Sequence, residues 1–314
     1  MENLVFSLNA TIPVFLMMVL GYLFRRLGLL GETLASGMNT FVFRITLPVL
    51  LFRDLAVVDF TEAWDTRFVL FCFCTTLVSI AAAGGISFLW KDRSIQGEFI
   101  QAAYRSSAAI LGIAFITNIY GDAGMAPLMI IGSVPLYNIM AVVVLSVFQP
   151  ERKPMDGALV KKTALGIVTN PIILGILAGL LWSALRIPMP AFLDKTAASL
   201  GGVSTPMGLM AMGASFDPKK ALGKSLPSVT AAAIKLLGFC AVFLPAAVAL
   251  GFRQEKLVAI LIMLGSATTV SSYVMARSMG HEGTLSASTV MLTTLFSAFS
   301  LTFWLWLLRS LGYI

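Results

Sequence analysis

Ten runs of about 20 apolar residues divide this chain, and each is long enough to cross a hydrocarbon core about 30 Å thick as a helix. They fall at 5–24, 34–55, 68–90, 97–119, 124–148, 163–185, 196–216, 227–250, 256–277 and 284–308. No water is available inside a bilayer, so such segments must satisfy their own backbone, and helices do this within one segment. Composition agrees. Hydrophobic residues make up 58% and charged residues 12%, where a soluble domain carries about 25% charged, and the mean hydropathy is +0.90. The expected class is an all-α polytopic membrane protein.

The charges sort by side. Loops after segments 1, 3, 5, 7 and 9 hold Arg25, Arg26, Lys91, Arg93, Lys161, Lys162, Lys219, Lys220 and Lys224 with few acids. The opposite loops mix Arg53, Arg67 and Lys256 with Asp54, Asp59, Glu62 and Asp65. The basic side should face the cytoplasm. That puts both termini outside, in a multi-pass protein of the cytoplasmic membrane. The net charge of +7 is then loop charge that orients helices, and nucleic acid is excluded as a partner. Cys72, Cys74 and Cys240 lie in apolar runs without a CxxC, and the only histidine is His281, so neither metal nor cofactor is expected.

The main polar linker, 149–162, divides the segments five and five. This predicts a first repeat over 1–148 and a second over 163–314. A shift of 158 residues brings Pro13 onto Pro171, Gly21 onto Gly179 and Pro48 onto Pro206. Later the shift becomes 159, and Gly121 meets Gly280 while Gly124 meets Gly283. Five segments are an odd number, so two copies must insert with opposite orientation. Inverted repeats of this kind are common in secondary transporters.

Two segments are interrupted at related places. In segment 4, "YRSSAAILG" puts Arg105, Ser106, Ser107 and Gly112 into an apolar run. In segment 9, "LGSATTVSS" supplies Ser266, Thr268, Thr269, Ser271 and Ser272. A lone hydroxyl in a membrane helix most often bonds back to a carbonyl one turn earlier, or lets helices pack closely. Hydroxyls at matching points of both halves instead suggest two helices that break and cross near the midplane. Asn39, Pro48, Pro171 and Pro206 are further expected helix breaks. Asn138 lies in segment 5, and Arg44, Arg105 and Lys235 are the basic residues within spans. Each of those three sits near a basic end, so snorkelling to the headgroups and a buried gating or electrostatic role both fit. No carboxylate is expected deep in a span. This inventory suits an anionic solute.

The stretches "NTFVFRITLPVLLF", "PLYNIMAVVVLSVF", "TNPIILGILAGLLW" and "SSYVMARSMG" resemble the auxin efflux carrier family, which contains plant auxin carriers and bacterial permeases labelled malonate or malate transporters. The resemblance covers nearly the whole chain. It implies ten helices in two inverted repeats, similar in fold to bile-acid symporters and sodium/proton antiporters. It also implies a scaffold of segments 1, 2, 6 and 7 that often dimerises, and a transport domain of segments 3–5 and 8–10. A substrate carboxylate would sit where segments 4 and 9 cross. Ser107 stands where the family usually has asparagine, Ala114 stands at an expected proline, and segment 9 has no proline.

The expected function is a permease for a small organic anion, probed at Ser106, Ser107, Gly112, Asn138, Thr268, Thr269 and Ser271. It would work by elevator-like alternating access, either as voltage-driven export or as sodium- or proton-coupled symport. An intramembrane enzyme is disfavoured, because there is no GxSxG or HExxH and His281 sits at a membrane edge. A sensor or assembly factor would need a soluble module, which these segments do not include.

Overall fold

The computed structural model describes residues 2–56, 64–108, 115–117, 119–121, 124–150 and 164–314. Gly112 and most of the 149–162 linker lie outside them. Among the described residues every regular element is helical. The first half contains α1 (Glu2–Arg26), α2 (Glu32–Ala56), α3 (Thr66–Ser87), α4 (Gln96–Tyr104) and α5 (Ala126–Val147). The second contains α6 (Pro171–Ala184), α7 (Ala191–Gly202), α8 (Ser204–Ser215), α9 (Pro218–Gly223), α10 (Ser225–Ala249), α11 (Gln254–Gly265), α12 (Ser271–Ser278) and α13 (Thr284–Ser310). By length and apolar content, α2, α3, α5, α10 and α13 can each cross a bilayer alone.

Local sequence explains where helices start and where they deform. Asp65 caps α3 by accepting from the Phe68 amide at 3.0 Å. The same carboxylate takes a 2.6 Å bond from Lys256, and those two donors hold Asp65 below the usual carboxylate range. Asn170 caps α6 through the Ile172 amide at 3.0 Å, with Pro171 at the first helical position, where a missing N–H costs nothing. Pro48 does not end α2. Proline removes a ladder bond and crowds the carbonyl four residues earlier, and α2 absorbs this in a π turn at Val42–Thr46. A second π turn, Ile234–Gly238, lies inside α10 and carries Lys235. Gly283 opens α13 at φ 76°, a left-handed conformation that favours glycine.

One group of helices packs backbone to backbone. A Cβ on Gly175 of α6 would stand 2.5 Å from the Pro48 carbonyl oxygen, and one on Gly179 would stand 2.6 Å from that of Phe52. Gly21 of α1 meets the Met210 carbonyl of α8 still more closely, and Gly213 meets that of Met18. Lipid tails are as apolar as leucine, so burial does not drive helices together in a membrane; close packing of small residues does. These contacts pair α2 with α6 and α1 with α8, α8 packs on α2, and Arg53 ties α2 to Asp194 of α7 at 2.7 Å. The remaining long helices form a second bundle. There α3 packs on α4 and α5, α10 packs on α13, and α13 also packs along α1 of the first group.

Gly175→Val should therefore destabilise the protein by about 1–3 kcal/mol through overpacking. Gly84→Ala, whose added Cβ meets nothing within 4 Å, should leave it unchanged. Thermal unfolding in detergent, followed by size-exclusion fluorescence, reads both. Equal melting of the two variants would contradict the packing described.

Candidate functional site

Helices α4 and α11 both stop inside the protein. At the two ends the chain turns to near-identical extended dihedrals, φ −71° and ψ 138° at Arg105 and φ −72° and ψ 162° at Ser266. The breaks then meet. The Ser107 amide donates to the Ala267 carbonyl at 2.9 Å. Thr268 Oγ1 donates to the Ala102 carbonyl at 2.8 Å, and the Thr268 amide donates to Thr293 Oγ1 at 3.0 Å. The nine residues of α4 and the eight of α12 rise about 13 Å and 12 Å from the basic end. Each length is less than half of a core about 30 Å thick.

Lys235 closes the crossing from behind. Its side chain is fully buried. Nζ donates to the Leu264 carbonyl at 2.6 Å, to the Met263 and Tyr104 carbonyls at 3.4 Å each, and to Ser106 Oγ. Ser106 passes its own hydrogen to the Met263 carbonyl. The last carbonyls of a helix have no partner within it and carry partial negative charge. Two such ends converge on one ammonium here, so Lys235 does not snorkel.

Arg105 lies on the other side of the break and is also buried, with 1% of its surface exposed. Nη2 donates to Asn138 Oδ1 at 2.6 Å and to Ser271 Oγ at 2.8 Å. Nη1 reaches Met275 Sδ at 2.8 Å and Gln101 Oε1 at 3.5 Å. Nε has no partner among the described residues, and none of their carboxylates is within ion-pair reach of the guanidinium. Arg105 lines a cavity with Ser107, Asn138, Thr269 and Ser271 on this bundle. Asp54, Ser204 and Thr205 line it from α2 and α8. A buried charge held only by neutral dipoles leaves electrostatic attraction unused, and an anion in the cavity would use it.

The other expected positions are placed as follows. Ser106 faces Lys235, and Thr268 is spent on the crossing. Asn39 leaves α2 helical and donates to the Val274 carbonyl at 3.3 Å and to Ser278 Oγ at 3.1 Å, joining α2 to α12. Arg44 is exposed and outside the cavity. Pro171 and Pro206 lie near the starts of α6 and α8, just after Asn170 and Val203 separate shorter helices. Four participants escaped the sequence reading. Gln101 donates to the Ser272 carbonyl at 2.8 Å and Tyr137 to that of Met263 at 3.1 Å. Asp54 lines the cavity. Glu98 is 1% exposed and accepts from the Gly283 and Ser286 amides at 2.8 and 3.0 Å, capping α13. Glu98 lies in the first turn of α4, at the end of segment 4, and the two amides make its burial tolerable. Gln101 was findable, because it stands four residues before Arg105 and so shares its helix face.

An unpaired buried charge implies an unusual stability response. Arg105→Met should melt at the wild-type temperature or higher, because it removes a charge that has no carboxylate partner. Asn138→Leu, which leaves the charge and deletes its shortest acceptor, should cost about 1–3 kcal/mol. A large loss of stability in Arg105→Met, with none in Asn138→Leu, would reverse this account.

Comparison with known proteins agrees with the geometry. A Rhizobium meliloti (strain 1021) protein called "Putative malonate transporter" is 24% identical over 308 residues, covering 95% of each chain. A Methanothermobacter thermautotrophicus (strain Delta H) protein called "Uncharacterized transporter" is 29% identical over 126 residues, which is 38% of this chain and 40% of that protein. Residues 6–305 match the family model described as "Membrane transport protein". With nearly its whole length matched, and with motifs that resemble auxin efflux carriers, this chain belongs to the membrane transport protein family.

Proposed function

We propose that the chain is a secondary carrier for a small organic anion, with a carboxylate of the substrate bound at Arg105. One observation carries this reading. A fully buried guanidinium faces a cavity, and among the described residues no carboxylate pairs with it. Ser107, Asn138, Thr269 and Ser271 supply donors and acceptors around the same space. Malonate is the first probe, because a relative of similar length carries that word in its name.

The motion proposed is of the elevator type. The bundle of α3–α5 and α10–α13 slides against the body of α1, α2 and α6–α8, which also offers the face for a second copy. Two facts support ten spans in inverted repeats, 1–148 and 163–314. Gly21 packs on the Met210 carbonyl, and Gly179 packs on that of Phe52. Both residues of the second contact are 158 positions from their counterparts in the first. Thr46 and Ser204, again 158 apart, bond to one another at 2.8 Å. On this reading the cavity opens toward the Asp54 end, outside the cell, and the contacts of Asn39 with Val274 and Ser278 shut the basic, cytoplasmic end. Moving one negative charge outward gains about 2.3 kcal/mol per 100 mV of interior-negative potential, so export needs no coupled ion. Proton-coupled symport is a second reading, favoured by the Asp54 carboxylate in the cavity wall.

Proteoliposomes holding purified protein should take up [14C]malonate at a rate set by the imposed potential and indifferent to a pH gradient. Arg105→Met should lower the apparent affinity about 30-fold or more, the usual cost of deleting one partner of a buried charge pair. Dependence on the pH gradient that Asp54→Asn abolishes would favour symport. Absence of flux for malonate, malate and indole acetate in folded protein would refute the carrier reading. In a Thr205→Cys background, Asn39→Ala should reduce labelling by an impermeant maleimide from outside and raise it from the cytoplasmic side.

A further inference from the structure

The ligands around Lys235 are all oxygens, the donor type a hard cation takes. They are the Tyr104, Met263 and Leu264 carbonyls and the Ser106 hydroxyl. Hard oxygen donors suit alkali and alkaline-earth cations, and in carriers with broken helices, unwound carbonyls and helix C-termini hold sodium or protons. The ammonium lies where the ends of α4 and α11 converge; Lys235 does not itself line the cavity, and Ser106 stands between the two. Its position inside a π turn of α10 sets the side chain toward that point. No carboxylate lies in the cage among the described residues, so the ligands are neutral and their total demand is for one positive charge.

We infer that Lys235 is a tethered monovalent cation, occupying a cage of four oxygens that would otherwise require a free alkali ion to hold the two broken helices together. A tethered charge cannot be exchanged with the medium. The crossing is then assembled at any sodium concentration, and the cation is never transported. The transport consequence rests on the carrier reading above; the cage does not.

Removing the side chain should turn the tethered site into an exchangeable one. Purified Lys235→Ala and Lys235→Met are melted in choline chloride, sodium chloride and methylammonium chloride, and the wild type is run beside them. The wild type should melt alike in all three. Lys235→Ala should melt lower in choline, and sodium or methylammonium should raise its melting temperature saturably by about 3 °C or more, as a ligand bound only to the folded state does. Lys235→Met fills the space with an apolar chain and should respond to neither. In proteoliposomes, methylammonium should restore [14C]malonate flux to Lys235→Ala, while the wild type ignores replacement of sodium by choline.

The inference is overturned by a Lys235→Ala protein that melts alike in the three salts, by one that cannot be recovered folded in any of them, or by a wild type stabilised by sodium. A Lys235→Met protein with wild-type flux would overturn it too. If the wild type carries no malonate while Lys235→Ala still responds to the cations, the carrier reading fails and the cage stands.

Discussion

A helix that ends inside a bilayer leaves carbonyls that water cannot reach, and each unsatisfied group there costs several kcal/mol. Two helices end this way here, and one ammonium answers both. Lys235 takes carbonyls from the last turns of α4 and α11 and orders the Ser106 hydroxyl between them. The bonds from Ser107 to Ala267 and from Thr268 to Ala102 then lock the two strands of irregular backbone. Arg105 owes its position to this arrangement. The chain must leave the helical path at residue 105 for the guanidinium to reach Asn138 and Ser271 at once.

The crossing is polar and the surrounding packing is not, and the two bodies solve the membrane problem differently. The α1, α2, α6 and α8 body is held by glycines that admit a neighbouring carbonyl, as at Gly175 and Gly179. Such contacts are short, rigid and nearly free of polar side chains. The other bundle is tied by buried polar bonds such as Gln101 to Ser272 and Glu98 to the α13 amides. Between them α13 packs along α1, and Asn39 bonds to the Val274 carbonyl and Ser278 on the basic side. If the two groups of helices slide as proposed, they do so as packed units, because packed cores switch between arrangements rather than deform.

The helical class was legible from hydropathy alone, and so were the five long apolar helices α2, α3, α5, α10 and α13, since lipid permits so few backbone solutions. Both interruptions were legible too. A pair of serines after arginine, and a run of serines and threonines in segment 9, stand out against leucine and alanine. Pairing was not legible. Ser106 and Ser107 are neighbours with the same hydroxyl and both line the cavity, yet Ser106 bonds to Lys235 and Ser107 does not. Only the extended backbone between them decides which. Snorkelling and burial could not be separated for Arg44, Arg105 and Lys235, because each sits at a similar depth in sequence. Rotation about the helix axis sends Arg44 out and the other two in. The π turns, which alter that rotation at 42–46 and 234–238, leave almost no trace in hydropathy.

Two buried cations on one bundle also bear on which solute fits the proposed motion. Arg105 and Lys235 both belong to the bundle that would slide, and among the described residues neither has a carboxylate within ion-pair reach. Lys235 is balanced by the partial charges of two helix ends, an interaction that moves with it. Arg105 is balanced only by two amides, a hydroxyl and a thioether. Carrying it through the apolar seam alone would cost several kcal/mol, and a bound carboxylate would offset that cost. On the proposed carrier reading the empty bundle would then move slowly and the loaded one fast, and a single anionic group facing Arg105 would be enough to make substrate binding the condition for translocation.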